Sequence, residues 1–311
     1  MTATPATSAP PRRPATELVE SPCRSALQPV RGMWFDWSLN PYGGCVHRCT
    51  FCYVRAFERR ADRPSDSRYG RTVRVKTNVV TVLREELRRP SHRSGLVCLG
   101  TATDPYQPAE GRYRLTRGCL EALVAARRPI TLTTRGPLVV RDAGLLAEAG
   151  AAAGVSVSIS VPTVDEAVVR RTEPGTAPPR QRLRALERLA AAGVRAGVLM
   201  APVLPGISDG DESLAATVRA ARDAGAAFLL VGVLNLTPGT REHFLEALAD
   251  DWPELLPRYL ELYRGRSHLP ATFASEVSGR VAGLRTAAGI SAERPPRFAD
   301  PPVPRQLHLE L

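Results

Sequence analysis

Lysine is nearly missing from this chain. Lys76 is the only one, so all but one of the 42 basic side chains are arginine. The formal net charge of +11 therefore reflects an arginine bias as much as a surface built for a polyanion, and does not by itself argue for nucleic acid. Long apolar runs are missing too. None approaches the roughly 20 residues needed to cross a bilayer, so no membrane segment is expected. Residues 1–14 are rich in Thr, Ala and Pro without an apolar core segment, so they do not read as a signal peptide, and cytoplasmic residence is the expectation. The rest is ordinary: 311 residues with 43% hydrophobic and 23% charged side chains suffice for one large α/β domain with a full core.

Cysteine is scarce at six, yet half of them fall within eight residues. Residues 40–53 read N-P-Y-G-G-C-V-H-R-C-T-F-C-Y, which places Cys45, Cys49 and Cys52 in the spacing C-x-x-x-C-x-x-C. Thiols so crowded in an intracellular chain point to soft-metal or iron–sulfur ligation rather than disulfides. Three thiolates also leave a coordination position open, where chemistry can occur. On spacing alone a structural zinc site stays open, with His47 or Cys23 as fourth ligand. The spacing resembles the signature of the radical S-adenosylmethionine (SAM) family. That resemblance implies a [4Fe–4S] cluster held at three irons by the three Cys, with the fourth iron binding the amino and carboxylate groups of SAM. The positive field of Arg48 and Arg55 would favour the thiolates.

Residues 1–30 hold many Pro, Ser, Thr and Ala and read as a flexible leader. Beyond them, apolar β-branched runs at 34–39, 96–101, 130–134, 155–161, 195–200 and 228–236 alternate with helical patterns at 78–89, 116–126, 142–149, 179–192 and 212–224. Gly150, Gly193 and Gly225 stop three of those helices. The alternation predicts an α/β fold with a parallel sheet covered by helices. Six strands are too few for a closed eight-stranded barrel and match the partial (β/α)6 TIM-type barrel that the family resemblance implies. The core is placed at 31–240, a helical C-terminal extension at 241–290, and an irregular Pro-rich tail at 291–311.

In such barrels the loops at the carboxyl ends of the strands build the active site. Those loops carry T-D-P-Y-Q-P-A-E at 103–110, T-T-R-G at 133–136, V-S-I-S at 157–160, A-P-V-L-P-G-I-S-D at 201–209 and L-N-L-T-P at 234–238. Turn geometry explains the Gly and Pro but not residues 103–110 as a block. With N-P-Y-x-G-C ahead of the cysteines, these blocks resemble the spore photoproduct lyase-like branch of the family, from about residue 21 to 244. The resemblance implies that Tyr53 lies near the SAM adenine and that Thr103 and Asp104 contact SAM. It also puts Arg135 where the branch has a Lys able to hold the SAM carboxylate, and makes Ser158 a hydrogen-bonding partner of SAM. Glu173 and Arg182 match a recurrent Glu–Arg pair read as structural. The implied chemistry is reductive cleavage of SAM to a 5′-deoxyadenosyl radical, with ferredoxin or flavodoxin as electron donor.

Two departures bear on the substrate. Branch members carry a hydrogen-donating Cys just before T-S-D, where this chain has Thr101 ahead of A-T-D. Cys98, three residues upstream, is expected on the opposite strand face as a core residue, and Cys119 as helix packing. Where the branch has R-L-P, this chain has Asn235-Leu236-Thr237-Pro238. Tyr106, Gln107, Glu110 and Asn235 are the candidate pocket residues, while His243 and His268 read as surface or core. The organic substrate is unidentified. The missing Cys leans toward small-molecule or peptide tailoring, with nucleic-acid repair or modification as the alternative. Residues 53–92, with eleven Lys or Arg against five Asp or Glu, could line the mouth of the site. A non-catalytic zinc- or iron-binding scaffold is the reading from another class.

Overall fold

Residues 155–160 alternate V-S-V-S-I-S, and all six are buried in the computed structural model, which describes residues 16–292. Val155, Val157 and Ile159 join the main hydrophobic core, and the serines take the other face because strand side chains alternate. Burial on both faces is what a parallel strand under helices requires. The strands in chain order are β1 (Glu17–Ser21), β2 (Leu27–Pro29), β3 (Trp37–Leu39), β4 (Tyr42–Gly43), β5 (Thr72–Lys76), β6 (Val97–Leu99), β7 (Ile130–Thr134), β8 (Val155–Ser160), β9 (Ala196–Val203) and β10 (Leu229–Val233).

The large sheet runs β10-β9-β8-β7-β6-β3-β2. Its neighbours from β3 to β10 are all parallel, and only β2 is antiparallel. Parallel neighbours need crossovers. Helices Leu115–Ala125, Ala143–Ala152, Pro179–Ala191 and Asp211–Asp223 supply four of them. Each turns apolar residues at helical spacing into the core, as Leu186 with Leu189 and Leu214 with Val218 do. The sheet ends at β10 and β2 without closing, so the architecture is α/β, a partial (β/α)6 TIM-type barrel with six parallel strands.

The flexible leader expected over 1–30 is corrected within the described residues. β1 pairs in parallel with β5, Leu18 opposite Val73, and β2 pairs with β3. Buried Ala26 and Leu27 donate their backbone N–H groups to Glu86 Oε2 at 3.1 and 2.9 Å. These strands are short and half exposed, so their stability comes from partners far along the chain rather than from a local pattern. Residues 1–15 and most of the expected tail, 293–311, lie outside the described residues. The first barrel strand starts at Trp37, not at 34, because the Asp36 carboxylate accepts Leu96 N–H at 2.7 Å and bends the chain.

Helix Ala271–Ala287 packs on β10 and on helix Asp211–Asp223, burying Val277 and Val281 in the main core. Helices Thr240–Asp251 and Leu256–Leu262 build a second core from Phe244, Leu248, Tyr259 and Tyr263 with Leu204, Leu234 and Leu236. Cys49 and Phe51 belong to that core, so the C-terminal helices pack directly against the cysteine segment. Each large side chain buried there contributes about 1.5–3 kcal/mol, enough to dock the segment firmly. No helix among the described residues is long and apolar enough to cross a membrane.

Candidate functional site

The cysteine segment follows β4, which pairs antiparallel with β5. Neighbouring loops fix its course. Thr50 N–H donates to Thr172 O at 2.8 Å, Gly175 N–H to His47 O at 3.0 Å, and Thr103 Oγ1 to Gly44 O at 2.7 Å. Two close approaches require glycine. A Cβ on Gly70, at φ +76°, would lie 2.2 Å from Cys45 O, and one on Gly175 would lie 2.1 Å from Val46 O. Helix Val54–Arg60 starts directly after the last cysteine.

Cys45, Cys49 and Cys52 line one open cleft with Thr101, Thr103, Asp104 and Arg135. All three are free thiols. Burial pushes Cys49 well up, with the Arg135 charge opposing, and pushes Cys52 up, with a hydrogen bond from Tyr69 opposing. Burial also raises Cys45, but the charge and hydrogen bond of His47 outweigh it and the net direction is down. Arg55 is almost fully buried, donating to Cys49 O at 3.3 Å and to Ser65 O and Asp66 O at 2.7 Å. Positive charge acts on Cys49 from Arg135 and on Cys52 from Arg55, and Arg48 lines the cleft.

This donor set fits an iron–sulfur cluster. Buried thiols need a positive group to stay ionised, and a cluster spreads its thiolates over separate irons. A lone zinc ion needs its ligands gathered on one point, and among the described residues no three Cys, His, Asp or Glu are so gathered. Of the fourth ligands considered for zinc, Cys23 packs against the main hydrophobic core rather than lining the cleft, and His47 Nδ1 is taken up by Asp104 Oδ2 at 3.3 Å.

Tyr53 is half exposed, and its hydroxyl donates to Thr101 O across the cleft. Asp104 is buried and accepts from Thr134 Oγ1 at 2.6 Å, Arg135 N at 2.7 Å and Tyr106 N at 2.8 Å. Burial would raise its pKa, but the charge and hydrogen bond of His47 with the Thr134 and Arg135 bonds hold it down at about 2. Arg135 donates from Nε to Glu173 at 2.7 Å, and its guanidinium lies 5.7 Å from the Phe51 ring centre. Glu173 is shared with fully buried Arg182 at 2.8 Å. Ser158 is buried in register with Thr133 and Gly197, one strand from the cleft lining at Thr133.

The expected pocket residues lie elsewhere. Tyr106, Gln107 and Glu110 are almost completely buried behind the cleft. Tyr106 donates its hydroxyl to Asp142 at 3.0 Å, and Gln107 Nε2 to Thr103 Oγ1 at 2.9 Å and to Gly44 O at 3.2 Å. Glu110 accepts from Tyr42 at 2.5 Å, Arg141 at 2.7 Å and Thr116 N at 2.8 Å. Gln107 thereby braces the start of the cysteine segment, and the polar side-chain atoms of Tyr106 and Glu110 are spent on other parts of the fold. Asn235 is exposed and bridges to His268. Cys98 is a core residue as expected, packed with Phe35 and Leu96, but the parity argument fails. Cys98 lies opposite Ser38, whose hydroxyl meets Thr101 Oγ1, and Gly100 at φ +88° breaks the alternation between them. Two contributors went unread: Asn40, bonded to Thr101 Oγ1 at 2.8 Å and to Ala102 N at 2.9 Å, and Tyr69, whose hydroxyl lies 3.6 Å from Cys52 Sγ. The N-P-Y motif could have exposed Asn40. Tyr69 carries no local signal.

The model of the radical SAM superfamily matches residues 39–221. Uncharacterized protein Rv2578c of Mycobacterium tuberculosis is 40% identical over 293 residues, covering 92% of this chain and 86% of that protein. Uncharacterized protein MJ0683 of Methanocaldococcus jannaschii is 22% identical over 193 residues, covering 62% of this chain and 70% of that protein. Among solved structures, spore photoproduct lyase complexed with dinucleoside spore photoproduct matches with a TM-score of 0.65 at 16% identity, over 87% of this chain and 79% of that chain. At that identity the likeness is one of fold. The family implies SAM, an iron–sulfur cluster and an electron donor. Signature, barrel and family match agree: this chain belongs to the radical SAM superfamily and is an enzyme.

Proposed function

We propose that Cys45, Cys49 and Cys52 hold a [4Fe–4S] cluster, that SAM binds beside it, and that the enzyme abstracts hydrogen from an organic substrate. The observation that carries this reading is the convergence of three reduced thiols on one cleft that also presents Tyr53, Thr103, Asp104 and Arg135. When bound, the cluster and SAM supply reductive cleavage of the sulfonium to methionine and a 5′-deoxyadenosyl radical, with an electron from a ferredoxin or flavodoxin. The chain's own residues position and exclude. Tyr53, tied to Thr101 O, covers one side of the cleft and offers a ring to the adenine. Arg135, oriented by Glu173, offers positive charge to the SAM carboxylate. Thr103 shapes the cleft wall, Ser158 offers a hydroxyl one strand further on, and Asp104 holds the wall in place.

Thr101 lines the cleft at the position where the branch has its hydrogen-donating Cys, which favours a small-molecule or peptide substrate. A specific feature supports the nucleic-acid alternative. Exposed Tyr53 and Phe57 have ring centres 5.7 Å apart, and the Arg60 guanidinium lies 4.8 Å from the Phe57 ring centre, a surface suited to stacking on bases. Anaerobic purification is the test of the main reading. A brown protein absorbing near 400 nm and releasing 5′-deoxyadenosine from SAM supports it, whereas a colourless protein that leaves SAM intact overturns it. Salt-sensitive DNA binding would shift the substrate class to nucleic acid.

A further inference from the structure

Two of the three cysteines face a buried side chain able to donate a hydrogen bond, and neither donor takes part in holding SAM or substrate as described above. Tyr69 is 3% exposed, with its hydroxyl 3.6 Å from Cys52 Sγ. It is held rigidly. Its N–H donates to Asp66 O at 2.9 Å, and the Arg55 guanidinium sits 4.6 Å from its ring centre. That guanidinium is itself pinned to Ser65 O and Asp66 O. Gly70, next in sequence, lets the segment press onto Cys45 O.

His47 is the second donor. It is 5% exposed, its Nδ1 lies 3.3 Å from Asp104 Oδ2, and it lines the cleft beside Cys45, whose thiol its charge pulls down. Asp104 is locked by Thr134, Arg135 N–H and Tyr106 N–H, so the ring has a fixed orientation. A carboxylate that orients a histidine toward a metal-site ligand tunes the ligand it touches.

We propose that Tyr69 and His47 set the reduction potential of the bound cluster by donating hydrogen bonds to the thiolates of Cys52 and Cys45; this rests on the cluster reading above. A thiolate bound to iron only accepts hydrogen bonds, so the phenol and the imidazole are the donors. One-electron reduction adds negative charge that spreads onto the sulfurs. A fixed donor there stabilises the reduced cluster more than the oxidised one and raises the potential. In a buried site water does not substitute for either donor, so each bond acts at full strength. Cys49 instead faces the Arg135 charge, so each ligand has its own polar neighbour.

The test compares the reconstituted full-length chain with Tyr69→Phe, His47→Leu and the double variant. Each is titrated potentiometrically without SAM, the reduced cluster being followed by electron paramagnetic resonance. The expected result is unchanged iron and sulfide per chain with a more negative midpoint in each single variant, and a further negative shift in the double variant. Should His47→Leu fail to fold because Asp104 loses a partner, Tyr69→Phe, which removes one oxygen atom, decides alone. A wild-type midpoint in Tyr69→Phe at full iron content overturns the proposal. So does loss of iron from that variant, which would mark Tyr69 as a structural brace. A wild-type chain that takes up no iron and sulfide refutes the cluster reading itself, a separate outcome seen before any titration.

Discussion

Arg135 Nε lies 2.7 Å from Glu173 Oε2, the same carboxylate oxygen that Arg182 reaches at 2.8 Å. Glu173 Oε1 is buried without a hydrogen-bond partner. One carboxylate oxygen thus serves two guanidinium groups and fixes the arginine that lines the cleft. Glu173→Ala strands both arginines in a buried setting. The expected loss is about 3–5 kcal/mol, read by urea denaturation of the metal-free protein. A loss below about 1 kcal/mol would mean that the arginines find other partners and that Glu173 does not organise them.

The three cleft cysteines should separate cleanly from the other buried thiols. Replacing Cys45, Cys49 and Cys52 together with Ala is expected to bring iron and sulfide to background and remove absorbance near 400 nm, while far-ultraviolet circular dichroism stays native. Cys98→Ala and Cys119→Ala should keep the metal, because both sit in hydrophobic clusters and burial pushes their thiols up, alone at Cys98, to about 12, and joined by the Glu110 charge at Cys119. Iron retained by the triple variant would remove the basis of the proposed function.

What could be read from sequence was local. Three thiols in eight residues, and apolar runs such as 130–134 and 155–160, carry their meaning within a short window, and they led to the barrel and the mouth of the site. β1 escaped because its partner β5 lies far along the chain, and β2, though paired with nearby β3, because it is only three residues long with two of them facing solvent. Tyr69 escaped too: nothing in its neighbourhood reveals that a turn returns it to Cys52. Within 103–110, Thr103 and Asp104 line the cleft, whereas Tyr106, Gln107 and Glu110 do not. A run of polar residues after a strand looks alike whether it faces a ligand or braces the loop that does, and only the hydrogen-bond partners of Tyr106, Gln107 and Glu110 distinguish the two.

That distinction has a kinetic consequence. Tyr106→Phe deletes one buried hydrogen bond to Asp142, which keeps Arg117 and Arg141, and should cost about 1–2 kcal/mol of stability. Glu110→Ala removes the buried acceptor of Tyr42 and Thr116 N–H and one of the two carboxylates that pair with Arg141, and should cost about 3–5 kcal/mol. At temperatures where each variant stays folded, the rate of 5′-deoxyadenosine release should match wild type. A rate loss in a fully stable Tyr106→Phe would return that residue to the substrate pocket.

His243 gives the fold a term that depends on pH. Its side chain is 16% exposed, Nδ1 is buried without a hydrogen-bond partner, and Glu246 Oε2 lies 3.9 Å away, too far to bond. Burial first, then the Arg55 charge, lowers its pKa from 6.5 to about 4, against a smaller opposing effect of Asp66. The unfolded chain therefore takes up this proton below about pH 6.5, and the folded chain only below about pH 4. The neutral imidazole's contribution is complete above the unfolded value and is lost as pH falls through that window, by at most about 3 kcal/mol. His243→Leu should lack this term. Urea denaturation of both metal-free proteins at pH 7.5 and pH 4.5 isolates it, because other acid-sensitive groups are common to both chains. The wild type is expected to lose more stability than the variant over that interval. Equal losses would show that His243 already titrates in the folded state as it does in the unfolded one.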